Sequence, residues 1–226
     1  MKVFTTHTDI PGLAETPELL SMWQESWAKY GWEPVILVPQ EHLDLWQALN
    51  TASYNLPTCN PRAYQAQCIT RWADFRDAGG GLMVDADLIN VGLPAEGFTF
   101  PAEDDPAIYT TSRDLCPCGV VATPAGILGL IDLILHMSSQ PALLASIGDK
   151  VSDQEILRWA ARHKALPVKA LNYAQHYGSP GWENHELIHF GSWPVRQLGG
   201  GKTKVQIIEE FLNARGAAPV KENDKL

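Results

Sequence analysis

The sequence predicts an α/β domain with a mostly parallel central sheet flanked by helices, and three observations carry that prediction. Short apolar runs bracketed by Gly, Pro or polar residues recur at Lys2–Phe4, Pro34–Pro39 and Leu82–Val84. Between them lie stretches whose apolar residues repeat at helical spacing. The two patterns alternate at the interval of βαβ units, which favours parallel pairing. At 226 residues and 45% hydrophobic content the chain can bury a core without disulfides. A single domain is expected over residues 1–216, with residues 217–226 as a frayed tail.

Lys2–Thr6 opens as a strand. Thr16-Pro17-Glu18 supplies an N-cap with Pro in the first helical position, and the helix that follows carries Leu19, Trp23, Trp27 and Tyr30 on one face before stopping at Gly31. Pro34–Pro39 reads as a buried strand. A second helix places His42, Leu45, Trp46 and Leu49 at helical spacing. A third opens at Asn60-Pro61, with Tyr64, Cys68, Trp72 and Phe75 as its buried stripe and Arg62, Arg71, Asp74 and Asp77 elsewhere, and ends at Gly79-Gly80-Gly81. Leu82-Met83-Val84 then runs into Asp85-Ala86-Asp87. Ile108–Thr111 and Gly119–Thr123 read as strands, and Thr123-Pro124 starts a very apolar buried helix. Ser152-x-x-Glu155 is a capping box for a helix to about His163. Residues 178–201 read as irregular, and Thr203-x-x-Gln206 caps a last amphipathic helix.

Seventeen Lys and Arg against 26 Asp and Glu give a net charge of −9, which opposes binding to nucleic-acid backbones and to anionic membrane surfaces. A phosphorylated small ligand would need a local metal ion or a few arginines. No apolar stretch approaches a transmembrane length, and no secretory leader is visible, so a cytoplasmic location is expected. The four cysteines, Cys59, Cys68, Cys116 and Cys118, are too few and too irregular for a disulfide framework and read as reduced thiols.

In parallel sheets ligands bind beyond the carboxyl ends of the strands, which is where Asp85 and Asp87 fall. Two carboxylates on one tight turn suit Mg²⁺ or Mn²⁺ shared with a diphosphate. With thirteen Asp in the chain, D-x-D arises by chance about 0.7 times, so its context decides. That context is Arg71-Trp72-Ala73-Asp74-Phe75, then Gly79-Gly80-Gly81, then Leu82-Met83-Val84-Asp85-Ala86-Asp87. The stretch resembles the nucleotide-sugar-binding region of GT-A-fold glycosyltransferases, in which an Arg-bearing helix and a Gly-Gly turn precede a D-x-D strand end. Ser152-Asp153-Gln154 looks like the D-Q element of several of these families, and Ile188-His189-Phe190-Gly191 like the late His-Phe segment of the glycogenin-like branch. Ser192-Trp193-Pro194 stands where that branch has Lys-Pro-Trp.

The resemblance implies a Rossmann-like GT-A domain and a metal-dependent glycosyltransferase. Its donor would be a nucleoside-diphosphate sugar, UDP-sugars first among them, and the acceptor is unknown. It implies Mn²⁺ or Mg²⁺ held by Asp85, Asp87 and His189, with Asp85 also meeting the ribose or sugar. Thr5, Thr6 and His7, at the end of the first strand, would meet the nucleotide base, and Asp153 with Gln154 would sit by the acceptor. The fork of Arg62 or Arg71 suits a phosphate, and Lys202, after Gly199-Gly200-Gly201, is a candidate mobile phosphate contact.

A rival motif is His185-Glu186-Leu187-Ile188-His189, a literal H-E-x-x-H. On a helix it would bind Zn²⁺, with Glu186 as general base of a metallopeptidase and Glu209 near the spacing of a third ligand. The flanking Ser179-Pro180-Gly181, Gly191 and Pro194 leave little room for such a helix, so an extended core segment is expected. A haloacid-dehalogenase-type phosphatase would carry its D-x-D near the start of the chain. A domain that binds nucleotide sugars without turning them over is the non-enzymatic alternative.

Overall fold

Residues 1–7 and 16–217 of the computed structural model are described, the side chains of 192–194, 216 and 217 excepted. The tail expected at 217–226 therefore lies outside the described residues, save Ala217, which closes the last helix.

The central sheet has six strands: β1 (Lys2–Thr6), β2 (Glu33–Leu37), β3 (Gly81–Val84), β5 (Ile108–Thr110), β6 (Gly119–Ala122) and β7 (Val168–Ala170), in the order β2-β1-β3-β6-β5-β7. β1 pairs in parallel with β2 and β3, and β5 with β7. β6 runs antiparallel to both β3 and β5, so the sheet is mostly parallel with one reversed strand.

Alternation along the strands divides the core into two layers. Val3, Leu82, Val84 and Val121 point to the side covered by α1 (Pro17–Ala28). Phe4, Met83, Val120 and Ala122 point to the side covered by α2 (Asp44–Asn55), α3 (Arg62–Asp77), α4 (Pro124–Ser138) and α6 (Asp153–His163). A sheet buried on both faces explains why its strands read as continuous apolar runs. No single helix among the described residues is long and apolar enough to cross a membrane; α4 is apolar because it packs inside the second layer.

Caps fall where the side-chain chemistry puts them. Thr16 Oγ1 accepts from the Leu19 amide at 3.2 Å, Thr123 Oγ1 from the Gly126 amide at 3.2 Å, and the Glu155 carboxylate from the Ser152 amide at 3.0 Å. Thr203 and Gln206 cap α8 (Lys204–Ala217) reciprocally. The triple glycine between α3 and β3 is needed in place: Gly80 has φ of +70°, and a Cβ there would stand 2.5 Å from the Ala122 carbonyl oxygen.

Two expectations need correction. The region 178–201, expected to be irregular, contains β9 (Leu187–His189) and α7 (Ser192–Leu198). With β4 (Leu88–Asn90) and β8 (Ala174–His176) it forms a second, three-stranded sheet in the order β4-β9-β8. Strands of three residues are too short to show a period, so only tertiary pairing reveals them. The buried face of α3 also differs. Tyr64 is 41% exposed, whereas Arg71 and Asp74 are buried, because ionic and backbone partners compensate their burial.

Aromatic donors from α1 and the α1–β2 connection fasten β4 of the second sheet and the residues that follow it. Trp27 Nε1 donates to the Leu88 carbonyl at 3.0 Å, the Tyr30 hydroxyl to Val91 at 2.6 Å and Trp32 Nε1 to Leu93 at 3.0 Å. On its other side Ile89, Ile188 and Phe190 pack on Leu19, Val195, Ile207 and Ile208, joining α1, α7 and α8 in a third cluster.

Candidate active site

Asp85 and Asp87 lie in the turn between β3 and β4, at the carboxyl end of β3. Three backbone hydrogen bonds hold that turn, one within it and two from neighbouring segments. The Asp85 amide donates to the Cys118 carbonyl at 2.7 Å, the Leu88 amide to the Asp85 carbonyl at 2.9 Å, and the Phe190 amide to the Asp87 carbonyl at 2.9 Å. Antiparallel pairing sets Leu88 opposite His189, and parallel pairing sets His176 beside it. The second sheet thus delivers two imidazoles to the D-x-D turn across a long stretch of sequence.

The two aspartates have different partners. Asp85 Oδ1 accepts from Arg71 Nη1 at 2.6 Å, and Arg71 Nη2 donates to Asp153 Oδ2 at 2.7 Å and to the Pro117 carbonyl at 3.3 Å. Trp72 Nε1 adds a bond to Asp153 Oδ2 at 3.3 Å. Asp153 is only 3% exposed, and burial pushes its carboxyl up while Arg71 pulls it down. Asp87 Oδ2 instead accepts from Lys204 Nζ at 2.6 Å, and its Oδ1 faces His189 Nε2 at 3.2 Å. Burial works against ionisation of Asp87, but Lys204 and His189 reverse it and hold the carboxyl well below its usual range. Burial likewise lowers the His189 imidazole, and Asp87 more than compensates, lifting it well above the ordinary histidine value.

Behind His189 a chain of polar groups runs outward to the surface. His189 Nδ1 meets His176 Nδ1 at 2.9 Å, and His176 Nε2 meets Asp114 Oδ2 at 3.1 Å. The other oxygen of Asp114 accepts from the Ser112 hydroxyl at 2.7 Å and the Cys116 amide at 3.3 Å. Burial opposes the Asp114 charge, and its bonds to His176 and Ser112 hold it low nonetheless. Two trios each bring one possible ligand atom per residue within 4.8 Å of the others: Asp85, Asp87 and His189, and Cys116, His176 and His189. The first, two carboxylate oxygens and an imidazole nitrogen, suits Mn²⁺ or Mg²⁺, and the Lys204 ammonium on Asp87 stands in for a cation there.

Of the residues expected at a site, the fold assembles Asp85, Asp87 and His189. Arg71 reaches the same place, but both ends of its fork serve carboxylates of the chain itself. Asp153 lies beneath Arg71 and is out of contact with solvent, while Gln154 is half-buried in the first turn of α6. Arg62 donates to the Tyr54 and Leu56 carbonyls and so closes the end of α2. Lys202 pairs with Glu210 at 2.6 Å, and Lys204, two residues on, is the lysine that reaches Asp87. Thr5, Thr6 and His7 end β1 at the same edge as β3; Thr5 is fully buried and its hydroxyl has no hydrogen-bond partner.

The H-E-x-x-H motif is not a metal-binding helix. His185 follows a turn at Trp182–Asn184 and His189 ends β9. Four residues of extended chain span about 13 Å, too far for one ion. Glu186 is exposed, and the residues that do meet His189 come from elsewhere.

Lys204, His176, Cys116 and Asp114 were not among the expected site residues. Lys204 carries no motif, since it only follows a helix cap. His176 lies on a three-residue strand whose partner is unreadable locally. Cys116-Pro117-Cys118 was visible as a pair, but its neighbours were not.

No protein-family model matches the chain, and no curated protein matches it. Among solved structures it is similar to one described as "crystal structure of a glycosyltransferase involved in the glycosylation of the major capsid of PBCV-1", at 10% identity over 93% of this chain and 98% of that one, with a TM-score of 0.48. It is also similar to one described as "PaToxG Glycosyltransferase", at 12% identity over 72% of this chain and 68% of that one, with a TM-score of 0.45. Both likenesses are distant.

Proposed function

We propose that this chain is a divalent-metal-dependent glycosyltransferase that moves a sugar from a nucleoside-diphosphate sugar to an acceptor. The observation that carries the reading is the trio at the carboxyl edge of the sheet: Asp85 and Asp87 on one turn, with His189 brought to them by a second sheet. An ion held by Asp87 and His189, with Asp85 in support, would neutralise the diphosphate and stabilise it as it departs.

The chain's own groups have separable tasks. Arg71 fixes Asp85 at one orientation, leaving the Oδ2 edge for a ribose or sugar hydroxyl. Asp153, through Arg71, is a positioning residue. His176 and Asp114 hold the ring of His189 from behind, in the manner of outer-shell partners that orient ligating histidines. Lys204 balances Asp87, and as α8 begins there its ammonium is suited to pass from the carboxylate to a bound phosphate. The ends of β1, Thr6 and His7, face the same edge and are suited to the base. UDP-sugars are the first donors to try.

The test is donor hydrolysis. The protein is incubated with Mn²⁺ and a panel of nucleotide sugars, and released nucleoside diphosphate is measured. The reading predicts release from at least one donor, abolished by chelator. Binding of a nucleotide sugar with no release from any donor would leave the non-catalytic binding domain, and no binding at all would end the proposal.

A further inference from the structure

We infer that Cys116, His176 and His189 form a second metal site, suited to zinc, that shares one imidazole with the D-x-D turn. It does not depend on the glycosyl-transfer reading, because it follows from the orientation of two rings and a thiol.

Each ring has one nitrogen committed to a carboxylate: His176 Nε2 to Asp114 Oδ2 at 3.1 Å, and His189 Nε2 to Asp87 Oδ1 at 3.2 Å. A neutral imidazole carries one N–H, and a carboxylate can only accept it. With both Nε2 atoms donating, the two Nδ1 atoms present lone pairs to each other at 2.9 Å. Two acceptors at that distance repel unless a positive centre serves both. A metal ion placed between them would bind both nitrogens at once. Nitrogens of a tetrahedral zinc site stand about 3.4 Å apart for Zn–N bonds of about 2.1 Å, so the rings need to part by only about half an ångström.

The third donor decides the kind of ion. Cys116 is buried, and its sulfur lies with both rings inside the same 4.8 Å trio. It would bind as thiolate and release its proton to solvent. A thiolate with two imidazoles selects Zn²⁺ over Mn²⁺ or Mg²⁺, which favour oxygen. The outer shell is already in place, because Asp114 and Asp87 hold the two rings in the tautomer that exposes Nδ1. Three protein ligands leave a fourth position for water.

One consequence follows for the neighbouring turn. With zinc on Nδ1 the proton of His189 stays on Nε2, and that nitrogen is closed to an ion at Asp85 and Asp87. Zinc and a second cation thus compete for one ring.

The test uses metal-free full-length protein titrated with Co²⁺ alone, without nucleotide. Wild type is expected to show a thiolate-to-cobalt charge-transfer band that one equivalent of Zn²⁺ removes. Cys116→Ser should lose the band, Cys118→Ser should keep it, and Asp114→Asn should weaken zinc binding about 10- to 100-fold. Circular dichroism reports whether each variant is folded. Absence of the band in wild type would overturn the site whatever the variants do. A band that survives in folded Cys116→Ser, or zinc affinity unchanged in Asp114→Asn, would overturn it equally.

Discussion

Asp85 and Asp87 stand two residues apart on one turn, yet their surroundings differ. Asp85 is fastened to Arg71, whose other arm is fastened to buried Asp153, so three charges and the indole of Trp72 lock together between α3, α6 and the turn. Asp87 meets a lysine at the start of α8 and a histidine at the end of β9, groups that can exchange one cation for another. The difference lets one motif serve two purposes: one carboxylate is a strut that fixes the turn, and its neighbour is the proposed ligand, its charge balanced by a lysine and a histidine.

Breaking the strut should have the larger effect on stability. Arg71→Met leaves Asp153 buried without its partner, and removing one member of a buried pair costs about 3–5 kcal/mol. The lower end of that range is expected here because Asp85 keeps access to solvent. Denaturant midpoints check it, and a loss below that of Lys204→Gln would erase the distinction between the two aspartates.

On the ligand side, His189→Ala should weaken Mn²⁺-supported UDP binding at least tenfold, about 1.4 kcal/mol. His185→Ala should leave it unchanged, and equal effects would mean that both histidines are ligands. The pH dependence sharpens this. Because Asp87 lifts the His189 pKa well above the ordinary value, an incoming ion must displace that proton, so metal affinity should rise with pH through the raised value. Stability of the ion-free protein should run the opposite way. The His189 proton contributes fully below the unfolded imidazole pKa of about 6.5, and the contribution is lost as pH rises through the folded value. The lowered pKa of Asp87 contributes above the unfolded carboxylate value and is lost only in acid. Thermal melts across alkaline pH, with and without Mn²⁺, should therefore slope in opposite directions.

The smallest effect belongs to Lys204. Lys204→Gln removes the cation that competes for Asp87, so Mn²⁺ alone should bind about fivefold tighter, on the order of 1 kcal/mol. Diphosphate binding in the presence of Mn²⁺ should weaken. Calorimetry of the two titrations separates the effects, and a matched change in both would deny the lysine its double role.

The contrast also explains what could be read in advance. The strut rests on long helices with clear caps and on apolar strands, and the order of those elements is legible from Thr16-Pro17, Gly79–Gly81 and Ser152–Glu155. Arg71 and Asp85 were visible as candidates, but their mutual pairing was not, since charge on a helix gives no clue that burial will compensate it. The ligand side depends on β4, β8 and β9, three residues each, which carry no periodicity of their own. His189 stood out through its His-Phe context, whereas His176 and Lys204 reach the site only through strand register and a helix start. H-E-x-x-H misleads because an extended chain separates its ends.

The most direct test of the account is calorimetry of UDP with Mn²⁺ on wild type and Asp87→Ala, with circular dichroism of both. The variant should keep the fold at some cost in stability, because Asp87 is buried with Lys204 and His189 as partners but lies outside the apolar layers, and Mn²⁺-dependent UDP binding should be lost. Unchanged affinity in a folded Asp87→Ala would contradict it.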